Sequence, residues 1–296
     1  KSKIMRDNER KLEIIEGDEL IMPIIGEAGF VFKQRELLFL AALVGCDEIY
    51  GIQDNIAEMK EKEIIEEWNK ARGQLQNKKY INVNDDESIT IDDDLYVFLK
   101  ACCKPRAYIK YVGSEDDGIL HQRNLYINEK TAVELDQDRL NKDVWILTPL
   151  VSIEKAAYNL KECFILEKKY EDADIKFEIS QGDFERFNNV FVNNEKSDAL
   201  KMLSDFGCPE EFKEDLFNAL KCKKVQKTIL MILDNYDNIS DIFNFSIFGG
   251  EKYLWKINVI KTNDMSESKV VISTTTAQSI EKEVENMVLS LRHIYV

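Results

Sequence analysis

The feature that most constrains this 296-residue chain is a pattern that occurs twice. Glu36-Leu37-Leu38-Phe39-Leu40, running on to Gly45-Cys46, is echoed by Asp198-Ala199-Leu200-Lys201-Met202, running on to Gly207-Cys208. Glu63-Ile64-Ile65-Glu66-Glu67-Trp68, through Ala71, is echoed by Glu211-Phe212-Lys213-Glu214-Asp215-Leu216, through Ala219. Ser152-Ile153-Glu154-Lys155 returns literally as Ser279-Ile280-Glu281-Lys282, with Val144 and Thr148 before it matching Val271 and Thr275. The echoes keep their order, and each falls on the same kind of element. The first half is the longer one, carrying an Ile49–Lys62 stretch and a small strand–helix unit at Lys79–Pro105.

Periodicity assigns the elements. Phe30–Phe32 reads as a short strand, and a further short strand is expected around Leu20–Met22. Gln34 to Val44 has helical spacing and stops at Gly45, the residue that best tolerates a left-handed helix end. A second helix is expected over Ile56 to Gln76, two strands at Lys79–Val83 and Ser88–Ile91, and a helix capped by Asp92 or Asp93 that Pro105 stops. From Arg106 the period changes to two. Ala107–Val112, Ile119–Ile127, Thr131–Leu135 and Asp143–Thr148 read as an antiparallel meander, after which Ser152 caps a helix over Ile153–Leu166. The second half is expected to run strand Asp174–Ile179, helices Asp183–Val192, Asp198–Phe206 and Glu210–Lys221, strands Thr228–Leu233, Phe243–Phe248, Tyr253–Lys261 and Lys269–Thr274, then a helix Ser279–Leu291. Ile153, Ala157, Leu160 and Phe164 line one face of the first closing helix, as Ile280, Val284, Met287 and Leu291 line one face of the last. The fold class is therefore α+β: two pseudo-repeated halves, with antiparallel sheets and flanking helices. The divisions are an extension 1–29, a first half 30–166 with its insert at 79–105, and a second half 175–296. Neither meander closes its own edges, so the halves are expected to pair their sheets over one continuous core.

This layout resembles the EspG family, the chaperones associated with ESX (type VII) secretion. The helix Glu36-Leu37-Leu38-Phe39-Leu40-Ala41-Ala42-Leu43-Val44-Gly45 follows the family's Glu-Phe-Leu-x-Leu-x-x-x-Leu-Gly form, and Lys104-Pro105 stands where the family's winged-helix-like unit stops. The helices around Gly207 and Pro209, the turn at Gly249-Gly250 and the strand from Tyr253 continue the likeness, which spans about residues 28–292. It lies in element order rather than identities, and this chain is more acidic and richer in Lys and Asn than the actinobacterial members. The resemblance implies a non-enzymatic, cytoplasmic chaperone that binds the tip of a helical-hairpin secretion substrate. No motif carries the binding residues across. Tyr111, Ile119, Leu125 and Tyr126 are nominated as partner-binding because they flank the Gly113–Gly118 hairpin, whose acidic tip (Glu115, Asp116, Asp117) suits a polar rim. Alternation on a one-faced sheet would leave Tyr111 or Tyr126 exposed.

Composition argues in the same direction. A net charge of -15 repels phosphate backbones and anionic lipid, so neither nucleic acid nor membrane is an expected partner. The mixed charge of the second helix (Glu61, Glu63, Glu66 and Glu67 against Lys60, Lys62, Lys70 and Arg72) is unlike a DNA-reading helix. The longest apolar run, Leu37 to Cys46, is about half of what a spanning helix needs, and no signal-type apolar core follows the charged start. His121, His293 and six cysteines without Cys-x-x-Cys spacing predict no metal, no cofactor and no disulfide. The acidic clusters lack calcium-loop spacing, Gly249-Gly250 lacks a phosphate-loop continuation, and Trp68, Trp145 and Trp255 sit at core-like positions. No catalytic residues are assigned, and the oligomeric state is left open. The other reading is an acidic immunity protein that neutralises a toxin by direct binding, since strong negative charge steers a protein towards a basic partner.

Overall fold

The computed structural model describes residues 29–295 apart from 54, 55, 57, 115–117, 194, 224, 235–238 and 262–267. The expected strand at Leu20–Met22, nearly all of the extension and the acidic hairpin tip lie outside the described residues.

In the first half, strand β1 (Phe30–Lys33) leads directly into helix α1 (Gln34–Leu43). Helix α2 (Glu61–Asn77), the ribbon β2 (Ile81–Val83) and β3 (Ile89–Ile91), and helix α3 (Asp93–Cys103) follow. Then comes the meander β4 (Ala107–Ser114), β5 (His121–Ile127), β6 (Ala132–Gln137) and β7 (Val144–Leu150), closed by α4 (Ile153–Glu162). The second half repeats the plan without the ribbon: β8 (Lys176–Ser180), α5 (Gln181–Val192), α6 (Lys196–Asp205), α7 (Glu210–Cys222), β9 (Gln226–Asp234), β10 (Ile239–Gly249), β11 (Leu254–Lys261), β12 (Ser268–Thr275) and α8 (Ala277–Leu289). Helix α2 begins at Glu61 rather than Ile56, where the carboxylate of Glu63 accepts the Lys60 N–H at 3.0 Å and closes its first turn.

Ten strands form one sheet in the order β1-β7-β6-β5-β4-β9-β10-β11-β12-β8. Every neighbouring pair is antiparallel. The order reads alike from both ends, and its centre is the β4–β9 pair, registered from Ala107↔Leu233 to Ser114↔Gln226. The two meanders thus meet strand to strand, and each supplies the hydrogen bonds the other's open edge lacks.

Helices cover both faces. On one face α4 and α8 lie side by side, packing Ile153, Ala157, Leu160 and Phe164, with Ile280, Val284, Met287 and Leu291, against Ile109, Leu125, Ile229 and Phe245. The opposite face is divided. Helices α1 and α3 cover the first half through Leu37, Leu40, Leu95 and Leu99, over Tyr108, Tyr126 and Leu147. Helices α5 to α7 cover the second through Phe187, Leu203 and Phe217, over Trp255 and Ile272. Each such side chain, fully buried, contributes about 1.5–3 kcal/mol.

Two expected equivalences shift. Helix α1 follows β1 directly, whereas α5 and not α6 follows β8, so the echo of residues 36–45 in 198–207 falls one helix out of step. The start of the last helix moves by a turn. Ser152 does cap α4, its hydroxyl accepting the Lys155 N–H at 3.2 Å. Helix α8 is capped by Thr276, which accepts the N–H of Ser279 at 3.2 Å, so Ser279 sits inside the first turn. The apolar faces still correspond, Ile153 to Ile280 and Leu160 to Met287; α8 simply begins earlier.

The two outer strands differ. At β1 the Val31 N–H donates to the Tyr80 hydroxyl at 2.9 Å, and the Val31 carbonyl accepts from Lys78 Nζ at 3.1 Å. Side chains from the end of α2 and the start of the β2–β3 unit therefore seal that edge.

Candidate interaction surface

The four nominated residues take up different positions. Tyr111, Leu125 and Tyr126 are all buried, at 3%, 4% and 0% exposure, and Ile119 is half-buried. This corrects the expectation that Tyr111 or Tyr126 would be exposed. The physical reason is the second helical layer: alternation sends Tyr111 and Leu125 under α4 and α8, and Tyr126 under α3. Each phenol also finds an internal partner. The Tyr126 hydroxyl donates to the Tyr50 carbonyl at 2.7 Å, and the Tyr111 hydroxyl donates to the Cys163 carbonyl at 3.2 Å. Burial raises the Tyr126 pKa well above that of a free phenol.

The apolar groups that do reach solvent beside the hairpin are Leu120 and Leu140, at 54% and 86% exposure. Leu120 leads into β5 and Leu140 lies in the β6–β7 loop, and Lys142 Nζ donates to the Leu120 carbonyl, tying the two loops together. Both loops lie at the same end of the sheet as the β4–β5 hairpin. Beneath them a polar cluster spans β5 and β6. His121 Nε2 lies 2.5 Å from Asp136 Oδ1, and the Arg123 guanidinium lies 3.3 Å from both Glu134 and Asp136. The Asn159 side chain of α4 donates to Glu134 at 3.1 Å. Burial works against the Arg123 charge, but Glu134 and Asp136 outweigh it and hold its pKa above the ordinary arginine range. The cluster fixes the root of the surface, although the buried Arg123 Nε–H finds no hydrogen-bond partner there. Its sequence signal was available, His121-x-Arg123 on one strand facing Glu134-x-Asp136 on the next, but the pairing is visible only once the register is known.

The thiols also need a correction. Cys46 and Cys103 form a disulfide, where the sequence predicts none. The Gly45 turn at the end of α1 brings Cys46 beside the last residue of α3, a neighbourhood that linear spacing does not reveal. The cysteine spacing therefore carries no information about the redox compartment. Cys102 is buried and its thiol is pushed far up by desolvation, and burial lifts Cys163 and Cys208 to about 11. Those thiols are protonated at neutral pH and poor nucleophiles. Among the described residues no group of three or more His, Cys, Asp or Glu side chains is placed to hold a metal ion, and no helix is long and apolar enough to cross a membrane.

The backbone as a whole has a solved counterpart. The Mycobacterium tuberculosis type VII secretion system chaperone EspG5, solved in complex with the PE25-PPE41 dimer, superposes on this chain with a TM-score of 0.60. The match covers 87% of this chain and 95% of that one, at 8% identity. The chain has an EspG-like fold. No protein-family model matches the sequence, and no curated protein is significantly similar to it. The likeness is thus one of architecture, and at 87% of the chain it reaches into both halves.

Proposed function

We propose that this protein is a type VII secretion-associated chaperone or accessory protein, acting in the bacterial cytoplasm without catalysis and binding helical-hairpin secretion substrates. The observation that carries the reading is the extent of the structural match, nearly the whole of both chains, to a chaperone whose structure includes its bound PE25-PPE41 dimer. We place the docking surface at the sheet end formed by the β4–β5 hairpin and the β6–β7 loop. Of the four nominated residues, Ile119 belongs to it, joined by Leu120 and Leu140; Tyr111, Leu125 and Tyr126 are buried in the core and drop out of it. An apolar patch held by a rigid polar base suits the apolar tip of a helical hairpin. We also take the segments 30–166 and 175–296 as descendants of one repeated unit that now share a single sheet.

The test is affinity capture from the native cytosol, followed by mass spectrometry. Recovery of small helical-hairpin proteins encoded beside a secretion ATPase supports the reading. Recovery of a basic toxin instead would transfer the protein to the acidic-inhibitor class. The surface is tested with Leu120→Asp combined with Leu140→Asp, both exposed. Capture is expected to fall while the thermal melt stays within a degree or so of wild type; undiminished capture would move the site elsewhere.

A further inference from the structure

The strand at the far end of the sheet is open. Thr274 N–H donates to the Ile175 carbonyl at 2.9 Å, and β12 and β8 continue in register through Ile272↔Phe177 and Val270↔Ile179. In an antiparallel ladder hydrogen-bonded pairs alternate, so Phe177 and Ile179 spend their backbone groups on β12, and those of Lys176 and Glu178 point away from the sheet. Among the described residues none bonds to those outward groups. The matching groups of β1 are sealed by Tyr80 and Lys78, and the second half has no ribbon to do the same. The side chains of β8 alternate as well: Phe177 and Ile179 are buried, while Lys176 and Glu178 are exposed at 61% and 46%.

We propose that β8 is a self-association edge, at which a second copy of this chain adds its own β8 antiparallel, centred on Phe177. The charges select both the occupant and the register. Centring on Phe177 places Lys176 opposite Glu178 of the second copy, and Glu178 opposite its Lys176. Both are outward-bonding positions, so the ladder continues unbroken. Centring on Lys176 or Glu178 would oppose like charges directly, which is unfavourable. Lone edge strands are commonly protected by short length, by charged side chains, by proline or by a bulge. Here Lys176 and Glu178 are self-complementary, and the strand contains neither proline nor bulge. Two copies joined in this way form one uninterrupted sheet, with the hairpin surface of each left free.

Sedimentation velocity on the 296-residue chain across a wide concentration range is the test. A reversible, elongated dimer is expected. Glu178→Lys opposes lysines at both cross-strand pairs and should weaken the dimer by about tenfold or more. The double exchange Lys176→Glu with Glu178→Lys restores the complementary order and should restore the dimer. Lys176→Pro removes an outward N–H that β12 does not use, and should also weaken association; an unchanged circular dichroism spectrum confirms that each variant is folded. A monomer at every concentration, a dimer indifferent to Glu178→Lys, or a double exchange that fails to recover would each overturn the proposal.

Discussion

Asp215 shows what individual residues contribute. Its carboxylate, on α7, accepts the backbone N–H of Lys252 at 2.8 Å, that of Tyr253 at 3.3 Å and the indole N–H of Trp255 at 2.9 Å. A Cβ at Gly250 would strike this carboxylate, and one at Gly249 would strike the Tyr170 hydroxyl. The glycine pair, read in the sequence as a turn without a phosphate-loop continuation, therefore lets the β10–β11 turn approach α7 and the chain after α4. Asp215→Ala strands three donors and is expected to cost about 3 kcal/mol in chemical denaturation, with Asp215→Asn recovering part of it. Tyr126 teaches a complementary lesson. Alternation located it correctly within β5, but the face it points to is covered by α1 and α3, from far earlier in the chain, so its burial was not legible locally. Tyr126→Phe should lose about 1 kcal/mol with the bond to Tyr50. Tyr126→Asp would bury an unpaired carboxylate and cost about 4 kcal/mol or more, measured as a lower urea midpoint.

The start at Ser152 was legible, and that at Asp92 to within a residue, since Asp93 stood beside it; the Ser180 cap of α5, three residues before the expected start at Asp183, was missed. At α8 the run of Thr274, Thr275, Thr276 and Ser279 offered several candidates, and the literal repeat drew attention to the wrong one. The assignment is checked directly: Thr276→Ala should cost about 1 kcal/mol, whereas Ser279→Ala should be nearly neutral. The disulfide tests the junction of α1 and α3. It closes a span of 57 residues, for which loop entropy gives roughly 4 kcal/mol. Cys103→Ser should lower the melting temperature to that of the reduced wild type, and alkylation of the unfolded, oxidised chain should count four thiols: Cys102, Cys163, Cys208 and Cys222. Nothing in the spacing of the six cysteines selects this pair, because the contact arises from two helix ends converging.

The α+β class could be read from the whole chain because periodicity and order survive where identities do not. The single ten-stranded sheet was less accessible, since which strands meet at the centre depends on pairing between residues far apart. The core under α4 and α8 draws on strands of both halves, so the protein should unfold in one cooperative step, with tryptophan fluorescence and circular dichroism tracing the same curve. The β4–β9 seam also has a consequence for synthesis. Residues 107–114 leave the ribosome roughly a hundred residues before 226–234 do, an interval on the order of ten seconds at ordinary elongation rates. During it the nascent first half carries β4 as a bare edge and half of a core with nothing opposite. Whatever receives the emerging chain must tolerate that exposure, and the most damaging place for a translational pause is the stretch just before β9.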